Sequence, residues 1–138
     1  MVQEYRSDLL ERSLQRLHLV VDGVKASVLV NVDGLLMASF PPGNNDHMGE
    51  GPTNSPQVAA MAATLIGLAE NTLSRLAQGR LDRILMEGED GLMVVYPAGN
   101  VASLAILLEK DARLERVFYA AHRTTDEVLD VLEPRVSG

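Results

Sequence analysis

The segment from Val101 to Leu108 is apolar on both of the faces that a β-strand presents. Its two alternating sets of side chains are Val101, Ser103, Ala105 and Leu107 on one side and Ala102, Leu104, Ile106 and Leu108 on the other. Successive side chains of a strand point to opposite sides of a sheet, so a strand without a polar side must be covered on both sides. The sequence therefore predicts a sheet with helices on both of its faces.

The flanking segments supply the other elements. Leucines at three- and four-residue spacing predict a helix from about Gln3 to Val21, which Gly23 ends with a positive φ. β-branched residues on either side of Asp33-Gly34 predict a hairpin with a two-residue turn, formed by Val24 to Val32 and Leu35 to Phe40. The 138 residues fit one domain.

The second half of the chain reads as a helix, a meander of three strands and a last helix. The strands expected there are Leu81–Glu87, an edge strand because of Asp82 and Arg83, then Leu92–Tyr96 and Val101–Leu108. Asp111 is the expected N-cap of the last helix. The fold class is then α+β, in the order α-β-β-α-β-β-β-α, with one five-stranded antiparallel sheet between helices.

The helix from Ser55 to Gly79 has two faces that differ in the size of their side chains. Projection at 100° per residue gives a bulky arc that we expect to pack on the sheet, namely Val58, Met61, Ala62, Leu65, Ala69, Thr72, Leu73 and Leu76. The opposite arc is small or weakly polar, namely Ala60, Ala63, Gly67, Asn71, Ser74 and Gln78. Small side chains let another backbone approach closely, so this arc predicts contact with a second polypeptide, and burial within one larger domain is the alternative.

Residues 41–56 hold four of the six prolines together with glycine, asparagine and serine. This composition suits neither a strand nor a helix, so we expect a long flexible loop. Ser55 is the expected cap of the helix that follows, and Pro56 suits its first position.

Composition excludes several classes of function. The net charge of −7 and the lack of a basic cluster argue against nucleic-acid binding. The chain has no cysteine, no apolar run of about 20 residues and no visible signal peptide. The expectation is a cytoplasmic protein that does not insert into a membrane.

Catalytic and metal-binding patterns are equally scarce. The phosphate-loop motif, the dinucleotide motif GxGxxG and the serine elbow GxSxG do not occur. His18, His47 and His122 lack metal-ligand spacing and are expected to be solvated. Glu87, Glu89 and Asp90 flank a turn, and a solvated turn is a simpler interpretation than a cation site. We expect no catalytic residues, no cofactor and no metal.

The hairpin KASVLVNVDGLLMASF, the helix PQVAAMAATLIGLAENTLSRLAQG and the meander that follows together resemble the roadblock/dynein light-chain superfamily, over about residues 8 to 132. The resemblance implies a roadblock/profilin-like sandwich. It also implies a homodimer in which the second helices pair antiparallel and the third strands meet edge to edge. Stand-alone bacterial members resemble regulators of small Ras-like GTPases, commonly encoded beside a histidine-kinase-like protein.

This resemblance and the small-residue arc together give a set of expected interface residues. They are Ala60, Ala63, Thr64, Gly67, Glu70, Asn71, Ser74, Arg75, Arg80, Leu81, Arg83 and Leu85. The expected function is non-enzymatic regulation of a small Ras-like GTPase that docks on the paired second helices. Two alternatives stay open. One is a passive scaffold that joins a sensor kinase to other components, and the other is a small-molecule sensor that uses the polar sheet residues Ser27, Asn31, Ser39 and Ser103.

Overall fold

The computed structural model of the protein describes residues 2–41 and 56–134, with side chains described from Arg6 onward. Except for its two end residues, the expected loop 41–56 therefore lies outside the described part of the chain. The predicted helix cap, Ser55, lies outside it as well. The elements are α1 (Val2–Val20), β1 (Val24–Asn31), β2 (Leu36–Phe40), α2 (Pro56–Arg75), β3 (Ile84–Glu87), β4 (Leu92–Ala98), β5 (Ala102–Leu108) and α3 (Leu114–Leu132). Their order confirms the α+β arrangement inferred from the sequence.

The five strands form one antiparallel sheet in the order β2-β1-β5-β4-β3. The strand that is apolar on both faces, β5, lies at the centre, and six of its seven residues are buried. β3 lies at an edge, as predicted, although it begins at Ile84 instead of Leu81. The two-sided burial of β5 confirms that helices cover both faces of the sheet.

The helices divide the core into two unequal layers. On one face α1 and α3 pack together over the sheet, through residues such as Leu14, Leu17, Val117 and Val128. On the other face α2 packs alone, and its buried residues are Ala59, Ala62 and Ile66. The layer beneath α2 is the smaller one among the described residues.

The first hairpin has a three-residue turn, not the two-residue turn predicted at Asp33-Gly34. The amide N–H of Asn31 donates to the oxygen of Leu35, and the N–H of Gly34 donates to the oxygen of Asn31. Gly34 has a φ of +85° whereas Asp33 does not have a positive φ, so the two-residue type I′ turn is excluded. The Asn31 side chain accepts hydrogen bonds from the amides of Asp33 and Leu35 and holds the turn in this form.

The orientation of α2 differs from the predicted one by roughly a quarter turn. Met61, Leu76 and Thr72 belong to the arc expected to pack on the sheet, yet they are exposed, the first two by 61% and 62%. Ala59 and Ile66 take the buried positions instead. The physical reason is that small side chains at Ala59 and Ala62 let the helix lie close to the sheet.

Two predicted helix ends are also corrected. Arg113, not Asp111, is the N-cap of α3, and its side chain makes no capping hydrogen bond. α2 ends at Arg75 instead of continuing to Gly79. Its last carbonyls are satisfied by the amides of Gln78, which donates to Leu73, and of Ala77, which donates to Ser74. This is a Schellman motif, in which Ala77 occupies the left-handed position with a φ of 55°.

The substitution Ala77→Gly should stabilise the protein, because glycine adopts the left-handed conformation without the steric cost that a β-carbon brings. We expect the free energy of unfolding to rise by about 0.5–1 kcal/mol in urea denaturation. The control Gln15→Gly, at an exposed position inside α1, should lower it by a similar amount. A loss of stability in Ala77→Gly would contradict the assigned conformation.

Candidate protein-interaction surface

One exposed side of α2 carries no charge over about three turns, from Ala60 to Asn71. We call it the outer face, and it consists of Ala60, Met61, Thr64, Gly67, Leu68 and Asn71, all of which are exposed. Met61 and Leu68 are each 61% exposed. An ordinary surface helix carries charged residues on this side, so the outer face is unusually apolar for a surface in contact with water.

Hydrogen bonding makes this side of the helix less polar still. The hydroxyl of Thr64 donates to the backbone oxygen of Ala60 at 2.9 Å, and the hydroxyl of Thr72 donates to that of Leu68 at 2.8 Å. Both hydroxyl protons are therefore used within the helix. The two threonine side chains therefore depend less on hydrogen bonds to water. This lowers the free-energy cost of covering this surface with a partner.

Gly67 lies near the middle of the outer face, and the described part of the chain gives no packing reason for it. A β-carbon at this position would have no atom within 4 Å. Glycine inside a helix costs about 1 kcal/mol relative to alanine. The glycine therefore weakens the helix without relieving any contact among the described residues.

Ala60 and Ala63 have a different explanation, because they face the chain's own first hairpin. A β-carbon on Gly34 would lie 3.3 Å from the Cα of Ala60 and 3.8 Å from the Cβ of Ala63. Their small size thus lets the hairpin turn approach α2. The turn also leaves Val32 and Leu35 exposed, by 63% and 62%.

A second group of the expected residues lies where α2 ends. Glu70, Ser74, Arg80 and Leu81 line a shallow groove of about 420 Å³. Leu81 is partly buried in the core layer beneath α2, whereas the other three are exposed. Asn71 and Arg75 are exposed on the helix beside this groove.

Arg83 and Leu85 lie on the opposite face of the sheet. The guanidinium of Arg83 lies 3.9 Å from the ring centre of Phe118 in α3, a cation–π contact. Leu85, 38% exposed, pairs with Val94, whose side chain packs in the core layer of α1 and α3. The structure therefore does not gather the twelve residues into one patch, because the β3 edge separates these two from the α2 group.

Tyr96 lies beneath this edge and is 4% exposed. Among the described residues its hydroxyl has no hydrogen-bond partner. Burial raises the pKa of Tyr96 to about 12, and the nearby charge of Arg83 opposes the increase. The phenol therefore stays neutral at physiological pH.

Sequence reasoning missed the largest exposed apolar side chains near this surface. Met61 and Leu76 belong to the arc that the sequence predicts to pack on the sheet, and Leu68 belongs to neither predicted arc. The available signal was that Leu68 lies on the same side of a helix as Thr64 and Asn71, which are four and three residues away.

The residues considered from the sequence for catalysis or metal binding do not lie together in the structure. Within the described ranges no three histidine or acidic side chains come together as a metal site. His122 is exposed, and His47 lies outside the described residues. No described helix is long and apolar enough to span a bilayer.

The prediction that His18 is solvated is wrong. Its Nε2 lies 3.1 Å from the hydroxyl of Ser27, and its ring packs edge-on against Phe40 with centroids 4.7 Å apart. Ser27 is therefore paired, and Asn31 holds the hairpin turn. Two of the four polar sheet residues considered for a small-molecule sensor thus have structural roles.

Comparison with known proteins identifies the family. Residues 10–108 match the model of the Roadblock/LC7 domain, so the chain belongs to that family. The uncharacterized protein MJ0714 of Methanocaldococcus jannaschii is 34% identical over 107 residues, which cover 78% of this chain and 83% of that protein.

Solved structures agree on the fold. The Roadblock/LC7 domain from Streptomyces avermitilis has a TM-score of 0.76 at 23% identity, covering 88% of this chain and 96% of that one. The gliding protein MglB from Thermus thermophilus has a TM-score of 0.78 at 16% identity, covering 94% and 93%. A structure of MglB with a tetrameric arrangement scores 0.77 at 16% identity, covering 93% and 90%. A profilin from Acanthamoeba castellanii scores 0.57 at 9% identity, covering 86% and 95%. At these identities the matches establish the roadblock/profilin-like fold alone.

The environment of His18 predicts a pH dependence of stability. Burial lowers the pKa of His18 below 6.5, so the unfolded chain takes up a proton at a higher pH than the folded one. The free energy of unfolding should therefore fall as the pH decreases from 6.5 through this lowered pKa. In urea denaturation at several pH values, His18→Gln should flatten this slope, whereas His122→Gln on the exposed side of α3 should keep it. An unchanged slope in His18→Gln would contradict the assignment.

Proposed function

We propose that this protein is a homodimeric, non-enzymatic regulator or adaptor of a small Ras-like GTPase in a bacterial signalling system. The outer faces of two α2 helices pair across a two-fold axis, and the GTPase docks on the platform that they form. The observation that carries the proposal is Gly67, open to solvent at the centre of an uncharged helix face. A glycine there is useful when a second backbone must come close.

The energetics favour a two-part interface. Met61 and Leu68 from two protomers bring four side chains, each worth roughly 1–2 kcal/mol when its exposed area is covered. Their sum is comparable with the lower end of the association cost, which is about 4–15 kcal/mol. The helices alone therefore give a weak dimer, and a second contact has to supply the rest.

The edge of β3 is our candidate for that second contact. In the described part of the chain β3 pairs only with β4, so its other side offers unpaired amide and carbonyl groups. The strand contains no proline or lysine that would prevent pairing. Edge-to-edge pairing of two β3 strands would also cover Leu85. This geometry is the one that the family resemblance implies.

The proposed mechanism needs no catalytic group. A bound protein shifts a GTPase between its two nucleotide states only when it binds those states with different affinities. The docking platform would combine the paired α2 helices with the exposed arginines at their ends, Arg75 and Arg80. The proposal includes two further expectations from the sequence, namely a cytoplasmic location and a histidine-kinase-like protein as a further partner.

The dimer can be tested at Gly67. In sedimentation equilibrium the wild type should have twice its chain mass of 15.0 kDa. Gly67→Glu should be a folded monomer, because the new carboxylate has free space within the chain but none between paired helices. The control Gln15→Glu places the same charge on α1 and should remain a dimer. A dimeric Gly67→Glu, or a monomeric wild type, would contradict the α2 interface.

Regulation can be tested with a small Ras-like GTPase from the same organism. We expect the GTP-analogue and GDP forms to bind the wild type with affinities that differ at least fivefold, and the rate of GTP hydrolysis to change in its presence. Gly67→Glu should lose both effects, whereas Gln15→Glu should keep them. Equal affinity for the two forms with no change in rate would favour the passive scaffold over the regulator.

A further inference from the structure

A groove of about 700 Å³ runs between α1 and α3, on the side of the sheet away from α2. Leu17, Val20 and Val21 form one wall, and Tyr119 and Ala120 lie on the other. Val20 is 64% exposed and Tyr119 is 70% exposed. The groove thus has an apolar floor, and two large apolar side chains stand at its rim.

The groove is lined by more basic than acidic residues, although the protein as a whole is negatively charged. The chain has a net charge of −7, yet four of its twelve basic residues line the groove, namely Arg16, Arg113, Arg116 and Arg123. Only two acidic residues, Glu115 and Glu127, line it with them. Arg16 forms an ion pair with Glu127 at 2.8 Å, and no other ion pair involves described residues. Arg113, Arg116 and Arg123 therefore carry charge that this part of the chain does not neutralise.

We infer that this groove is a second docking site, and that it takes an acidic amphipathic segment of another protein. The apolar side of such a segment would cover Val20 and Tyr119, and its carboxylates would meet the arginines. Guanidinium groups bind carboxylates through paired, charge-assisted hydrogen bonds, which suits three unpaired arginines on one rim. Laying an amphipathic segment in an apolar groove is a common mode of peptide recognition.

The shape of the site favours a polypeptide over a lipid surface. A bilayer is flat, whereas the residues that would have to meet it line a concave groove between two helices. The net negative charge of the protein also opposes approach to an anionic membrane. A peptide ridge fits into the groove and brings its charges to the rim at the same time.

The groove is independent of the proposed dimer surface, because the sheet separates α1 and α3 from α2. Both surfaces can then be occupied at once. This would give a dimer with a platform for one partner on one side and two peptide sites on the other.

The test is a selection from a random 16-residue peptide library displayed on phage, with the intact protein as target. We expect the enriched sequences to be acidic and amphipathic. A synthetic peptide made from the leading sequence should bind Arg123→Ser about tenfold more weakly than the wild type, which corresponds to the loss of one charge-assisted hydrogen bond. Tyr119→Ser should weaken binding as well. Lys25→Ser, which removes one exposed positive charge from β1, should not.

Fluorescence anisotropy gives the affinities, and sedimentation of the same variants shows that their oligomeric state is unchanged, which keeps this result separate from the α2 dimer. Enrichment of basic or uncharged sequences would overturn the inference. So would equal binding to wild type and Arg123→Ser, or failure to enrich any sequence that depends on Arg123.

Vesicles of phosphatidylserine and phosphatidylcholine provide the last comparison. Binding to them that depends on Arg123 and Tyr119, without selection of acidic peptides, would assign the groove to a membrane instead.

Discussion

The two-sided burial of β5 is the constraint on which the rest of the structure depends. The strand has no polar face, so each side of the sheet needs a helical layer. α1 and α3 together cover one side, but α2 covers the other alone. A helix with its side chains is about 10–12 Å wide, whereas five strands about 4.8 Å apart span roughly 20–24 Å. One helix is therefore too narrow to cover its side of the sheet.

This shortage of cover explains why the surface near α2 differs from the rest of the molecule. Met86, Met93 and Ile84 are only partly buried beneath α2, and Met61 and Leu68 stand exposed on its outer face. A second α2 placed beside the first would extend the helical layer. On this account Gly67 is retained because it lets two helices approach closely, at a cost to the isolated chain of about 1 kcal/mol.

The sequence predicted those features that depend on strand alternation and, at Gly23, on the glycine that follows a helix. The apolar strand from Val101 to Leu108, the edge position of β3 and the positive φ of Gly23 all follow from local pattern. The rotation of α2 about its axis does not follow from local pattern. The projection places bulky side chains such as Met61 against the sheet, whereas the small side chains of Ala59 and Ala62 face it and set the distance between helix and sheet. His18 was missed because its contact with Phe40 and Ser27 is a tertiary one.

How the expected interface residues are grouped could not be predicted in the same way, because the grouping depends on their positions in space. Arg83 and Leu85 are close to α2 in sequence but lie on the other face of the sheet. Ala60 and Ala63 are small for their own hairpin, through Gly34, before any partner is considered. A linear pattern cannot separate these two reasons for a small residue.

Cysteine cross-linking tests the central claim most directly, since the chain contains no native cysteine. In an antiparallel pair centred near Gly67, the variant Leu68→Cys should form a symmetric disulfide-linked dimer under mild oxidation. Arg75→Cys should not, because its two copies would be separated by roughly 20–24 Å along the helices, whereas a disulfide requires Cα atoms within about 7 Å. Efficient cross-linking through Arg75→Cys, or none through Leu68→Cys, would contradict the antiparallel pairing of α2.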